Sequence, residues 1–142
     1  MKNLIPYILL FLLIFITNCD DDLPSVDDCY DYDYSDCNTS KPTEGDLIIK
    51  LTINDENPKV PITIFKGNYD NKDTLKKILH DDELLRVSLK VEEYYSVTAK
   101  YKSGNKTITA VDGGNIKIIK RYVCDSVCYG VKEGKVDLRL KD

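Results

Sequence analysis

The sequence predicts an all-β domain, an antiparallel sandwich of about seven short strands over residues 46–142, behind an apolar leader and an acidic tether. Three observations carry that prediction. From Leu47 onward apolar and polar residues alternate with period two, the pattern of strands buried on one face. Gly, Asn, Asp and Pro clusters interrupt the alternation at short intervals, as turns require. Charge divides sharply: residues 20–46 hold ten acidic residues and one basic, net −9, while residues 47–142 hold fourteen acidic and eighteen basic, net +4.

The leader, residues 1–18, opens with Met1 and Lys2 and runs through an apolar stretch from Leu4 to Ile16. Its apolar run is about thirteen residues, short of the roughly 20 that cross a hydrocarbon core, so it reads as a cleaved signal peptide. The next segment, residues 19–45, is acidic and poor in apolar side chains. It buries too little surface to offset its ordering entropy and is expected to be a flexible tether.

Leu47, Ile49, Leu51 and Ile53 share one face of the first strand, with Ile48, Lys50 and Thr52 opposite. Val60, Ile62 and Ile64 repeat the pattern around Pro61, which lacks a donor and suits an edge or a strand start. Residues 73–80 read equally as helix and as strand, because Leu75, Ile78 and Leu79 sit at helical spacing behind a capping Asp73 while their neighbours alternate. Leu85, Val87, Leu89 and Val91 form a third inward face, and Tyr95, Val97, Ala99 and Tyr101 a fourth. Ser103-Gly104-Asn105 is a turn before a Thr-rich strand from Thr107 to Val111. Asp112-Gly113-Gly114-Asn115 reads as a hairpin turn, since those residues tolerate positive φ. A strand from Ile116 to Val123, a turn between Cys124 and Cys128, and a last strand carrying Val136, Leu138 and Leu140 complete the domain.

Several short stretches resemble known families. Ile16-Thr17-Asn18-Cys19 looks like the lipobox of bacterial lipoproteins, which implies that Cys19 is acylated and becomes the first residue of a 124-residue mature chain. Asp20-Asp21-Asp22, directly behind it, resembles the acidic export signal of surface lipoproteins in some Gram-negative bacteria. In other lineages an aspartate there retains the protein at the inner membrane, and the surface is the preferred reading. Asp73-Thr74-Leu75 and Asp125-Ser126-Val127 resemble short O-glycosylation sites of exported proteins, with Thr74 and Ser126 as acceptors. Val60-Pro61-Ile62-Thr63-Ile64-Phe65 and Tyr94-Tyr95-Ser96-Val97-Thr98-Ala99-Lys100-Tyr101 resemble the Ig-like, prealbumin-like and carboxypeptidase-regulatory-like sandwiches of cell-surface lipoproteins. Such domains are binding or structural modules.

With Cys19 lipidated, Cys29, Cys37, Cys124 and Cys128 remain as an even set in an oxidising compartment, which implies two disulfides. Three connectivities are open; local pairs, Cys29 with Cys37 and Cys124 with Cys128, are favoured. A four-cysteine zinc site would need two closely spaced pairs, and only the second is close.

The residues give little support to an enzyme. His80 is the only histidine and lies in an acidic, polar stretch before Asp81-Asp82-Glu83, where it reads as a solvated side chain. Glu92 and Glu93 are adjacent on an extended stretch and should face opposite ways. No Gly-rich phosphate loop and no basic run with interleaved aromatics speaks for nucleotide or nucleic acid. Asp31, Asp33, Ser35 and Asp36 alternate oxygen donors as calcium sites do, but without the glycine and terminal glutamate of the EF-hand loop. No other cofactor is indicated. Tyr94 is the candidate for a binding face, because alternation turns it away from Tyr95 and Val97. The expectation is therefore a non-enzymatic, membrane-anchored binding module at the cell envelope, at the outer membrane and facing outward, with a protein or glycan partner. A structural envelope component and a surface enzyme inhibitor are the alternatives; the inhibitor would present the Cys124 to Cys128 turn as a rigid loop.

Overall fold

A computed structural model describes Cys29 and residues 33–141 of the chain. The residues from Asp33 onward belong to one compact unit. Eight strands follow in order: β1 (Glu44–Lys50), β2 (Val60–Lys66), β3 (Thr74–His80), β4 (Leu84–Lys90), β5 (Glu93–Ser103), β6 (Lys106–Val123), β7 (Ser126–Lys132) and β8 (Gly134–Asp137). They form two sheets, β4-β1-β8 and β3-β2-β5-β6-β7, stacked as a sandwich.

The alternation read from the sequence fills the space between the sheets. Leu47 and Ile49 of β1, Val87 of β4 and Val136 of β8 face Val60, Ile62 and Ile64 of β2, with Tyr95, Val97, Ala99 and Tyr101 of β5 and Ile116 of β6. All are buried, as are Leu51 and Leu138 just past their strands. Leu85, Leu89 and Val91 pack against this cluster from its margin. Close approach of the two layers depends on small residues: a Cβ on Gly45 would lie 2.5 Å from Val131 Cγ1, and one on Gly134 3.2 Å from Ile116 Cγ1.

Residues 73–80, ambiguous in the sequence, contain a strand: β3 pairs antiparallel with β2, Ile62 opposite Ile78. A register shift between Ile64 and Phe65 interrupts the ladder, and Ile78 packs against the core while Leu75 and Leu79 are exposed, so the three do not share a buried face. Pro61 is not on an edge strand, since β2 lies between β3 and β5. It stands at the strand start, before pairing with β5 begins at Ile62.

Three expectations are overturned. Asp112-Gly113-Gly114-Asn115 makes no turn: β6 runs unbroken for 18 residues, with Asp112 opposite Val97 and Asn115 opposite Tyr94. Its glycines serve packing, a Cβ on Gly114 falling 3.0 Å from the Lys135 carbonyl oxygen of β8. The last strand pairs parallel to β1, Ile49 opposite Val136, whereas an all-antiparallel sandwich was expected. It ends at Asp137, and beyond it the Leu138 N–H donates to the Lys50 carbonyl at 2.9 Å.

The third correction concerns the cysteines. Neither local pair forms, because Cys37 bridges Cys128 across 91 residues, with Cα atoms 4.9 Å apart. Cys29 and Cys124 are also disulfide-bonded, so these four thiols leave no zinc site. Only Cys124 and Asp125 form the turn, Cys124 with φ 50°, and Cys128 lies within β7 opposite Arg121. The Cys124–Cys128 bridge that the inhibitor reading expected does not form.

Candidate functional site

The strand register assigns an outward face to the five-stranded sheet. Across β2, β5 and β6 it sets Thr63 opposite Thr98 and Thr98 opposite Val111, then Phe65 opposite Ser96 and Ser96 opposite Gly113, then Tyr94 opposite Asn115. Tyr94 is 39% exposed, whereas Tyr95, its neighbour in sequence, is 1% exposed in the core, as alternation required. Phe65, Ser96 and Thr98 are buried although they belong to this outward face.

The connection between β2 and β3 folds beside Tyr94. Gly67, at φ 73°, donates its N–H to the Tyr94 carbonyl at 2.8 Å, and its own carbonyl accepts from the Ser96 hydroxyl at 2.6 Å. A 3-10 turn, Tyr69–Asn71, then sets the Tyr69 ring edge-on to Phe65, centroids 5.3 Å apart and planes 86° apart. Tyr69 stays exposed beside the buried Phe65 on the β2 side of β5, and Tyr94 is exposed on the same face of the sheet. Tyr94 also lies over Gly113, where a Cβ would meet its hydroxyl and ring.

Charged side chains near the start of β5 are paired. Glu93 accepts from Lys66 Nζ at 3.0 Å, which holds its carboxyl below the usual range, and Lys41 bridges Glu92 at 2.9 Å, which raises the ammonium. Glu92 sits in a turn at φ 62° and Glu93 opens β5; the two carboxylates take different partners. A second groove, of about 390 Å³, lies on the outer side of the smaller sheet against Ile48, Leu84 and Arg86. Much of its charge is satisfied internally: Arg86 contacts Glu133 at 3.2 Å, Arg139 clasps Asp137, and Asp112 accepts the Asp137 N–H at 2.8 Å.

The other sequence candidates are dispersed. Asp33 accepts the Ser35 N–H at 2.8 Å as the cap of a 3-10 turn, Tyr34–Asp36, and that bond lowers its pKa. Ser35 and Asp36 are exposed in the same turn, and Asp31 lies outside the described residues. Among the described residues no three His, Cys, Asp or Glu side chains converge as metal ligands. His80 ends β3, its Nε2 3.3 Å from the Leu84 carbonyl. Thr74 is exposed at the start of β3 and Ser126 half-buried at the start of β7. Cys19, Asp20, Asp21 and Asp22 lie outside the described residues, and no described helix is long and apolar enough to cross a membrane.

The sequence pointed to Tyr94 but not to Phe65 and Tyr69, which come together only through the fold of the β2–β3 connection. A Gly at 67 within a polar stretch between two apolar runs was the available signal. No family model, curated protein or solved structure matches this chain.

Proposed function

We propose that this chain is a lipid-anchored cell-envelope protein, displayed at the outer face of an outer membrane, whose sandwich is a non-enzymatic binding module for a protein or glycan. The observation that carries the binding role is the pair of exposed phenols, Tyr94 over Gly113 and Tyr69 beside Phe65, on the outward face of the five-stranded sheet. Phenol rings supply rigid contact area with a polar tip, a combination found at recognition surfaces. The anchor rests on the sequence: an apolar run too short to span, a lipobox-like Ile16-Thr17-Asn18-Cys19, and Asp20-Asp21-Asp22 behind it. Two acyl chains on one cysteine would give stable attachment where a single chain binds only reversibly. We place the sandwich with prealbumin-like domains on the strength of its two stacked sheets and the alternation in β2 and β5.

One experiment in the native host tests both halves. A photo-crosslinking residue is placed at Tyr94, and at Lys59 as an exposed control; crosslinked species are resolved after irradiation and the intact mass of the uncrosslinked chain is taken. A discrete adduct at Tyr94 alone, on a chain starting at an acylated Cys19, is the expected result. Equal labelling at both positions removes the binding role in favour of a structural envelope component, and an unacylated chain removes the anchor.

A further inference from the structure

Past Ile116, β6 leaves β5 and pairs only with β7, so that Lys117 to Val123 and Ser126 to Lys132 form a two-stranded ribbon. On one face of that ribbon Lys117 stands directly opposite Lys132, with Ile119 and Arg121 following at alternate positions. Like charges placed directly across a ladder oppose each other. A groove of about 770 Å³ joins this face to β8, lined by Lys117, Lys132 and Lys135 with Asn115, Ile119 and Glu133. Glu133 contacts Arg86. Among the described residues Lys117, Arg121, Lys132 and Lys135 form no ion pair, and Ile119 is 51% exposed between them. Four cations around an exposed aliphatic side chain match the chemistry of an anionic amphiphile: phosphate on the ammonium groups, hydrocarbon against Ile119.

The ribbon is also where the start of the compact unit is tied down. Cys37 is bridged to Cys128 on β7, and the Asn38 carbonyl accepts the Tyr129 N–H at 2.8 Å. Cys19 precedes Cys37 by 18 residues, at most about 60 Å of extended chain, so an anchored protein keeps this face within reach of the bilayer.

We propose that the ribbon face is a second membrane contact, on which Lys117, Arg121, Lys132 and Lys135 receive the phosphates of anionic phospholipids. Its placement near a bilayer rests on the anchor reading; its lipid preference does not. The test uses the full chain carrying Cys19→Ser, which removes the acylation site, with vesicles of phosphatidylcholine alone or mixed with phosphatidylglycerol. Each basic residue near an anionic surface contributes about fivefold in affinity, so Lys117→Ala with Lys132→Ala should weaken binding to mixed vesicles about 25-fold. Binding to neutral vesicles should stay unchanged, because any contribution of the apolar leader is common to both chains. Stability in urea should hold or rise, since the opposed ammonium pair is relieved. Equal binding of the Cys19→Ser chain to both vesicle types overturns the proposal, as does a double variant whose binding to mixed vesicles is not weakened. Binding of inorganic phosphate without a vesicle preference would overturn it in favour of a soluble anion. A chain that loses acylation in its host yet keeps the lipid preference would separate failure of the anchor from failure of this contact.

Discussion

Tyr94 lies across Gly113 on the adjacent strand, and the glycine is what allows it. A Cβ there would fall 2.6 Å from the phenol Cζ and 2.9 Å from the Tyr95 carbonyl oxygen. An aromatic ring covering a strand glycine compensates for the missing side chain and fixes the ring's direction. Gly113→Ala should therefore cost about 1–3 kcal/mol by overcrowding. In a Tyr94→Ala background the cost should shrink, because the ring no longer competes for the space. Urea denaturation of the four chains completes this cycle, and an undiminished cost would make the Tyr95 carbonyl the obstacle instead.

The Cys37–Cys128 bridge closes a loop of 91 residues, so its removal frees much chain entropy in the unfolded state. In the chain-entropy model a lone loop of that length is worth about 4.6 kcal/mol, an upper bound for Cys37→Ser with Cys128→Ser because Cys29 and Cys124 stay disulfide-bonded. Proteolysis without reductant should yield one linked species holding both cysteines. Recovery of the Cys37 peptide bound to that of Cys29 would contradict the pairing.

How far the sequence announced this fold differs from strand to strand, and the differences have physical causes. The inward faces of β1, β2, β4 and β5 were legible because burial on one side imposes period two locally, and Tyr94 was legible for the same reason. Gly113 and Gly114 misled because glycine serves tight turns and close packing equally well, and only the partner strand decides which. The parallel pairing of β8 with β1, and the bridge from Cys37 to Cys128, join residues about 90 apart, so no local pattern encodes them. Tyr94 was visible from the alternation; the exposure of Tyr69 beside Phe65 depends on a connection whose path the alternation does not specify.

Asn57 substitutes for a strand residue that the sheet lacks. It is buried, its Oδ1 accepts the Lys102 N–H at 2.7 Å, and its Nδ2 donates to the Lys102 carbonyl at 3.0 Å. Removing both bonds in Asn57→Ala should cost about 1–3 kcal/mol. Asn57→Asp should cost at least as much despite its similar size, because a carboxylate oxygen would then face a carbonyl. Thermal unfolding of the two variants orders them, and a near-wild-type Asp variant would show that the donor bond contributes little.

Stability should fall at alkaline pH through Tyr95. Its ring is 1% exposed, and its hydroxyl donates to the Lys90 carbonyl at 3.0 Å, with Glu93 Oε2 at 3.2 Å. Burial, and then the Glu93 carboxylate, push its pKa from 10.0 up to about 12. The folded state thus holds this proton where the unfolded chain has released it, so the stabilisation is whole below about pH 10 and disappears as pH climbs to about 12. The loss is of order 3 kcal/mol at about 1.4 kcal/mol per pKa unit. Tyr95→Phe should be less stable near neutrality, having lost the donated bonds, yet its stability should decline less steeply between those pH values. Tyr101, also raised chiefly by burial and donating to the Leu138 carbonyl at 2.9 Å, supplies an alkaline slope that the variant keeps. Urea midpoints measured from neutral to alkaline pH decide the matter: if the two chains lose stability in parallel, the alkaline transition belongs to Tyr101 or to another group, and the Tyr95 proton plays no part in it.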